Sequence, residues 1–318
     1  MIRAPIGGGK VIRSVPFTRS RRRSGHRARF LVRIAAALAL LLVGRSPVLA
    51  HLPIDEQIAD ITARIAAAPA DASLYLRRGE LHRIHGDRGE AMADCDRSRR
   101  MDPGLAAAEL CLARTLLDAG EAGRSLGHLD RFLKARRTSV EGWMTRGRAE
   151  SHLGRHLEAA GDFTRALAQY DLGHRLPEPD CYLERARELA AAGSPHLDEA
   201  VRGLDEGVQR LGPIVSLQLP AIDLELELGR YDAALARLDT IAARAPRREG
   251  WLARRATILE KAGRTAEARV ACTEALAAIA ALPPARRSVA AMRELEQSLN
   301  ATLGRLSARS EDSAGGGS

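Results

Sequence analysis

Apolar side chains recur along the chain in helical stretches, and each stretch stops at a glycine before the next begins. Six such glycines follow one another at spacings of 34, 34, 39, 36 and 34 residues: Gly86, Gly120, Gly154, Gly193, Gly229 and Gly263. Glycine readily adopts the left-handed backbone that ends one helix and turns the chain into another. The spacing therefore predicts six consecutive helix–turn–helix units.

Positions counted from these glycines carry side chains of similar size. The residue seven before the glycine is small in five of the six units: Gly79, Ala113, Gly147, Ala186 and Ala256. The residue five after it is small in five units: Ala91, Ser125, Ala159, Ala234 and Ala268. The residue nine after it is larger, as at Leu129 and Phe163. Small side chains at these positions predict two closely packed helices in every unit.

This pattern resembles the tetratricopeptide repeat family. The marks of that family are the 34-residue period, the aromatic openings Tyr75–Gly79 and Trp143–Gly147, the alanine in mid-unit, and the closing prolines Pro103 and Pro246. The resemblance covers roughly residues 72–282 and implies an all-α fold, a right-handed superhelical array of about six repeats. The units would begin near Ala72, Ala106, Val140, Pro179, Val215 and Glu249.

Two features predict an irregular stretch between the third and fifth units. Five additional residues lie around Leu172–Pro179, and Pro220 falls inside a first helix, which it should kink or start late. Each end of the array carries a further helix pattern. Residues 51–71 carry a stripe of isoleucines and predict an N-terminal capping helix. Residues 283–308 carry an apolar stripe from Val289 to Leu303 and predict a C-terminal capping helix. Residues 309–318 would be a disordered tail.

The first fifty residues differ from the rest in charge. They contain eleven basic side chains and no acidic one, whereas residues 51–318 contain 38 basic and 40 acidic side chains. A basic stretch, the apolar run Ile34–Gly44 and a short segment ending at Ala50 follow one another as in a secretory signal peptide. We predict cleavage near Ala50 and a secreted or periplasmic mature chain. A mitochondrial presequence, a twin-arginine signal and a start codon within the leader are alternatives.

Composition narrows the class of protein further. Hydrophobic residues make up 45% of the chain and aromatic residues 3%, which favours helices over strands. The basic excess lies outside the repeats, whereas nucleic-acid binders cluster cations on the folded domain. This argues against a nucleic-acid partner. We predict that the chain contacts a membrane only transiently, through its leader.

The family resemblance further implies a concave groove lined by the first helix of each unit. Its predicted lining in the first four units is Glu80, Arg83, Leu110, Arg114, Met144, Arg148, His152, Leu183 and Arg187. Arg114, Arg148 and Arg187 occupy the ninth position of three successive units, and guanidinium groups bind carboxylates bidentately. We predict that this ladder grips an acidic segment or a C-terminal carboxylate, beside the apolar side chains. Alternatively, the arginines are solvated or pair with Glu150 and Glu184.

Other candidate chemistry is sparse. Buried thiols are the default expectation for Cys95, Cys111, Cys181 and Cys272, and a disulfide between Cys95 and Cys111 is the alternative. Cleavage after Ala50 would leave His51 as the N-terminal residue, whose amine and imidazole suit copper. No nucleophile elbow, phosphate loop or zinc-protease motif occurs in the sequence, so we predict no catalytic residues and no cofactor.

The pattern as a whole predicts an exported, non-enzymatic scaffold that binds a protein or peptide in its groove. A periplasmic copper-handling protein using His51 is one alternative. A membrane-tethered assembly factor with an uncleaved leader is another. The sequence does not define the oligomeric state. Spare apolar surface at Leu110, Leu117, Leu219 and Leu226 suits either a ligand or a second copy of the chain.

Overall fold

The structure is a computed structural model, and it describes the backbone of residues 53–315 and side chains as far as residue 308. The chain divides into two compact units, residues 1–57 and residues 58–318. Of the first unit, only the short segment 53–57 is described. The predicted signal peptide, its cleavage site and His51 therefore lie outside the described residues, as does the end of the predicted tail, 316–318.

The described residues form fifteen α-helices, with no strand among them, which confirms the all-α prediction. Twelve of these helices form six consecutive pairs. The pairs are α2 (Ala72–His85) with α3 (Arg88–Met101), α4 (Ala106–Asp118) with α5 (Ala122–Ala135), α6 (Val140–His152) with α7 (His156–Leu172), α8 (Pro179–Ala191) with α9 (Leu197–Leu211), α10 (Val215–Glu227) with α11 (Tyr231–Ala242), and α12 (Glu249–Lys261) with α13 (Thr265–Ala280). Their first helices begin at the residues where the sequence places the units.

The turn within each pair is built on the glycine that the spacing identified. All six glycines have a positive φ, from 70° at Gly229 to 106° at Gly193. At Gly86 the backbone N–H also donates to the carbonyl oxygens of His82 and Arg83, which closes the last turn of α2. The fourth pair adds a short 3-10 helix, Ser194–His196, before α9.

Within a pair, the small residue of the first helix lies against the larger residue of the second. A Cβ atom at Gly147 would lie 2.6 Å from a ring carbon of Phe163, and one at Gly79 would lie 2.6 Å from the Sγ of Cys95. These distances leave no room for a side chain. The paired helices can therefore approach this closely because the two glycines have no side chain.

Helices outside the six pairs lie at both ends. Helix α1 (Ile54–Ala67) buries Ile61 and Ile65 against Leu74, Tyr75 and Leu81 of α2. After α13 come a short helix, α14 (Pro284–Arg287), and a long one, α15 (Ala290–Gly315), rather than one helix over 283–308. Helix α15 buries Leu299 and Leu306 in the last core and extends into the segment assigned to a tail, whereas Val289 precedes it and is exposed.

The irregular stretch lies where the sequence indicates, but it takes a different form. Helix α7 is longer than the other second helices, at 17 residues, and the connection 173–178 follows it. Pro220 does not delay α10, which begins at Val215 and contains the proline in its interior. Leu217 and Ala221 on either side of the proline are fully buried, and this packing holds the helix despite the missing backbone N–H.

Cysteines 95 and 111 form a disulfide with a Cα–Cα distance of 6.0 Å. The default expectation of free buried thiols is therefore corrected for this pair, whereas Cys181 and Cys272 are free and buried. Both bonded cysteines are fully buried. The bond ties α3 to α4 and so joins the first unit to the second.

None of the helices in the described part combines the length and the apolar character that crossing a membrane requires.

Candidate functional site

Ion pairs connect the first helices of neighbouring units along the side predicted to be the groove. Arg83 of α2 lies 2.9 Å from the carboxylate of Asp118 in α4. Arg114 of α4 lies 3.7 Å from Glu80 of α2 and also pairs with Glu141 of α6. The predicted groove residues of the first three units are therefore brought together, but as alternating charges rather than as cations alone.

The second arginine of the predicted ladder is paired in the same way. Arg148 of α6 donates two hydrogen bonds from Nε, at 3.0 and 3.1 Å, and one from Nη2, at 2.6 Å, to the carboxylate of Glu184 in α8. These hydrogen bonds raise the pKa of Arg148. The alternative pairing with Glu184 is thus present, but it joins two units instead of running along one helix.

Arg114 is partly buried, as Arg83 is, whereas Arg148 is more exposed. Burial lowers the pKa of Arg114, and the nearby cations Arg83 and Arg148 lower it further, while Glu80 opposes them. A guanidinium in this position needs its carboxylate partners, because an unpaired buried charge is costly. Arg114 therefore contributes to holding the units together.

Arg187 of α8 is the member of the ladder that differs. It is exposed, and within the described part of the chain it has no ion pair with a carboxylate. His152 is also exposed, at the end of α6. Of the three ladder arginines, Arg187 is the one whose guanidinium is available to an incoming carboxylate.

The apolar residues predicted beside the ladder lie at different depths. Leu110 is 5% exposed and Met144 is 7% exposed, and each packs in a core between units. Little of either side chain reaches solvent, but Met144 lines a cleft of about 350 Å³ together with Arg114 and Arg148. Leu183 is half-buried and remains accessible.

An apolar cleft of about 570 Å³ lies in the last two units, which follow the unit of Arg187 in the array. It lies between α10, α12 and α15, and its apolar lining includes Leu219, Leu226, Trp251, Leu295 and Leu299. Arg254 and Asp223, 2.5 Å apart, form an ion pair among its lining residues. Sequence reasoning identified Leu219 and Leu226 as spare apolar surface but missed the other three. The signal for Leu295 and Leu299 was the apolar stripe of the capping helix, to which both belong.

The described residues contain no group of three or more His, Cys, Asp or Glu side chains placed to hold a metal ion. Histidines that do have partners pair with single carboxylates, as His156 does with Glu188 at 2.8 Å.

Comparison with protein families identifies the repeats. The tetratricopeptide repeat model matches residues 111–174 and 219–284, which correspond to the second and third pairs and to the fifth and sixth. The chain contains tetratricopeptide repeats. Proteins of this family are in general non-enzymatic scaffolds for protein interactions, and this chain has a fold of that kind.

Three solved structures are similar to this chain at low sequence identity. PilW, described as a widely conserved type IV pilus biogenesis factor, has a TM-score of 0.51 and 17% identity over 60% of this chain and 86% of its own. A tetratricopeptide repeat protein from Parabacteroides merdae has a TM-score of 0.47 and 16% identity over 77% and 92% of the two chains. MamA has a TM-score of 0.46 and 18% identity over 62% and 94%. No curated protein matches the chain in sequence.

Proposed function

We propose that this protein is an exported, non-enzymatic scaffold that binds an extended segment of a partner protein along its first helices. A carboxylate of the segment binds Arg187, and apolar side chains next to that carboxylate enter the cleft between α10, α12 and α15. The observation that carries this proposal is the position of Arg187. It is exposed without an ion pair in the described part, on the first helix that precedes α10 in the array.

This proposal assigns the binding of the carboxylate to one of the three predicted ladder arginines, Arg187. A carboxylate that approached Arg148 would have to displace Glu184, which already accepts three hydrogen bonds from it. Arg114 is held by Glu80 and Glu141. Arg187 requires no such exchange, so its full bidentate capacity is available.

Two observations support export. The basic stretch, apolar run and small residues of the first fifty positions follow the order of a secretory signal peptide. The disulfide between Cys95 and Cys111 is of a kind that persists in oxidising compartments. Determining the N-terminal residue of the protein purified from the cells that make it tests this part of the proposal. His51 is the expected first residue, and a chain that retains residues 1–50 would contradict it.

A charge reversal at Arg187 is expected to remove the preference for acidic peptides. A display library of random peptides with free C-termini, selected on the full chain, should enrich acidic residues or the terminal carboxylate next to leucine, isoleucine or phenylalanine. Arg187→Glu should lose that enrichment and lower the affinity of a selected peptide by at least about tenfold, because an attraction becomes a repulsion. Isothermal titration calorimetry with the selected peptide measures the change.

Arg202→Glu is the matched control, since Arg202 is also exposed and lies on the second helix α9. It carries the same change of charge away from the groove and should leave the affinity within about twofold of the unmodified chain. Equal losses in the two variants would show a general effect of net charge and contradict the assignment of Arg187. Selected peptides without acidic character would contradict it as well.

A further inference from the structure

The two edges of the array differ in charge. Each helix packs against the next and runs antiparallel to it, so turns within pairs lie at one edge and connections between pairs at the other. The second edge consists of residues 102–105, 136–139, 173–178, 212–214, 243–248 and 281–289. We call these six segments the basic edge. They contain two acidic residues, Asp102 and Glu178, and eight arginines: Arg136, Arg137, Arg175, Arg244, Arg247, Arg248, Arg286 and Arg287.

The two edges also differ in how many of their arginines form an ion pair with a carboxylate. The turns within pairs contain three arginines, and each is paired: Arg155 with Glu150, Arg230 with Asp198 and Arg264 with Asp232. On the basic edge, Arg247 pairs with Glu249 at 2.5 Å. The other seven arginines have no carboxylate partner within the described part of the chain. Charge is therefore neutralised at one edge and left available at the other.

Acidic residues in the first turns of the following helices do not cancel this charge. Glu109 is engaged by His128 and Arg131, Glu141 by Arg114 and Glu249 by Arg247. This leaves Asp180 beside Glu178 at the fourth unit. Arg175 lies over the ring of Tyr170 at 5.2 Å instead of pairing with either. The excess of cations is largest at Arg136 and Arg137 and in the segment 243–248.

Exposed apolar side chains occur at the same edge. Leu172 and Leu176, beside and within the connection 173–178, are 71% and 73% exposed. Val289 also lies in a connection, and Met101 and Val215 lie directly next to one. Five of the nine large hydrophobic residues that are exposed in the described part of the chain are therefore at this edge. A surface that combines unpaired cations with protruding leucines has the composition of proteins that bind at a membrane interface.

We propose that the basic edge binds the surface of a lipid bilayer that contains anionic lipids. The unpaired arginines bind the anionic headgroups, and Leu172 and Leu176 insert between them. The leucines favour a bilayer over nucleic acid, because a phosphodiester backbone offers them no apolar environment. Stacking of bases would require exposed aromatic rings, whereas Tyr170 and Trp143 near this edge are covered by Arg175, Arg146 and Arg165. The cleft between α10, α12 and α15 contains no residue of the six segments and remains open to a partner.

Co-sedimentation of the full chain with vesicles tests the proposal. The vesicles consist of phosphatidylcholine alone or of phosphatidylcholine with phosphatidylglycerol. Binding should require phosphatidylglycerol and should weaken as salt is added, since salt screens exposed charges. An edge variant with Arg136, Arg137, Arg244 and Arg248 replaced by glutamine should bind at least about tenfold more weakly.

A control variant removes the same charge elsewhere on the array. Arg77, Arg88, Arg202 and Arg269 are exposed, lie outside the basic edge and have no ion pair in the described part, and all four become glutamine. Its binding should stay within about twofold of the unmodified chain. Because residues 1–50 are common to every variant, the difference between the two variants reports the edge and not the leader. Equal binding by the edge and control variants would overturn the proposal.

Two further measurements test the role of the leucines and distinguish a lipid headgroup from nucleic acid as the source of the anion. Leu172→Ser with Leu176→Ser should weaken the binding that persists at high salt, whereas Leu157→Ser with Val270→Ser, also exposed, should not. Anisotropy with a labelled double-stranded oligonucleotide provides the second comparison. If the chain binds the oligonucleotide and not the anionic vesicles, and the edge variant loses that binding, the edge belongs to nucleic acid and the lipid proposal is wrong.

Discussion

Replacing Phe163 with alanine is expected to lower the free energy of unfolding by about 3–5 kcal/mol, the largest effect that we expect from a single substitution in this chain. Phe163 is 1% exposed and lies in the core shared by the third and fourth units. Its ring packs directly on the backbone of Gly147. Truncation leaves a cavity between α6 and α7 that neither helix can fill. Urea unfolding followed by circular dichroism measures the loss.

The complementary change at Gly147 gives an internal check on this contact. Gly147→Ala places a Cβ against the ring and should cost about 1–3 kcal/mol by overpacking. Because the added methyl partly occupies the space left by the ring, the double variant with Phe163→Ala should be more stable than the sum of the single losses predicts. Leu157→Ala, on the exposed side of α7, is the control and should change stability by no more than about 0.5 kcal/mol. A Phe163→Ala variant as stable as this control would contradict the packing of the third unit.

Loss of the disulfide is expected to have the second largest effect. Replacing Cys95 and Cys111 together with serine should lower the free energy of unfolding by about 2–4 kcal/mol, because the bond restricts the unfolded chain across the loop that it closes. A thiol count measures the bond directly. The denatured chain should show two reactive thiols without reductant and four after reduction, since Cys181 and Cys272 are free.

The control for the disulfide is the double variant Cys181→Ala with Cys272→Ala. It should show no reactive thiol until it is reduced, and its stability should still depend on reductant. The variant without Cys95 and Cys111 should unfold at the same urea concentration with and without reductant. Four reactive thiols in the denatured, unreduced chain would show that Cys95 and Cys111 are not bonded.

The repeats were predictable because their determinants are local. A turn glycine, a small residue seven before it and a larger residue nine after it all act within one helix pair, so a single unit carries its own signal. Gly147 and Phe163 illustrate this, since they are sixteen positions apart and pack directly on each other. Pro220 was harder to interpret, because the cost of its missing hydrogen bond is offset by packing against helices that are distant in sequence.

The site was less predictable than the fold. Whether an arginine of the first helices is free depends on residues one unit away, as with Arg148 and Glu184, which are 36 positions apart. The fifth position of each unit lies on the border between the groove and the core. Leu110 and Met144 fall on the buried side of that border and Leu183 on the accessible side. The basic edge was missed because its charge is spread over six short connections, each of which is unremarkable by itself.

The helices at the two ends have a consequence for how such a protein can change during evolution. Helix α1 covers the first pair and α15 packs on the last, and each is specific for the unit that it covers. A duplicated unit added beyond either cap would find no apolar surface to pack against. Tandem duplication within the array, by contrast, adds one period and leaves both terminal contacts intact. The number of binding positions in this lineage can therefore change only by duplication or loss of units within the array.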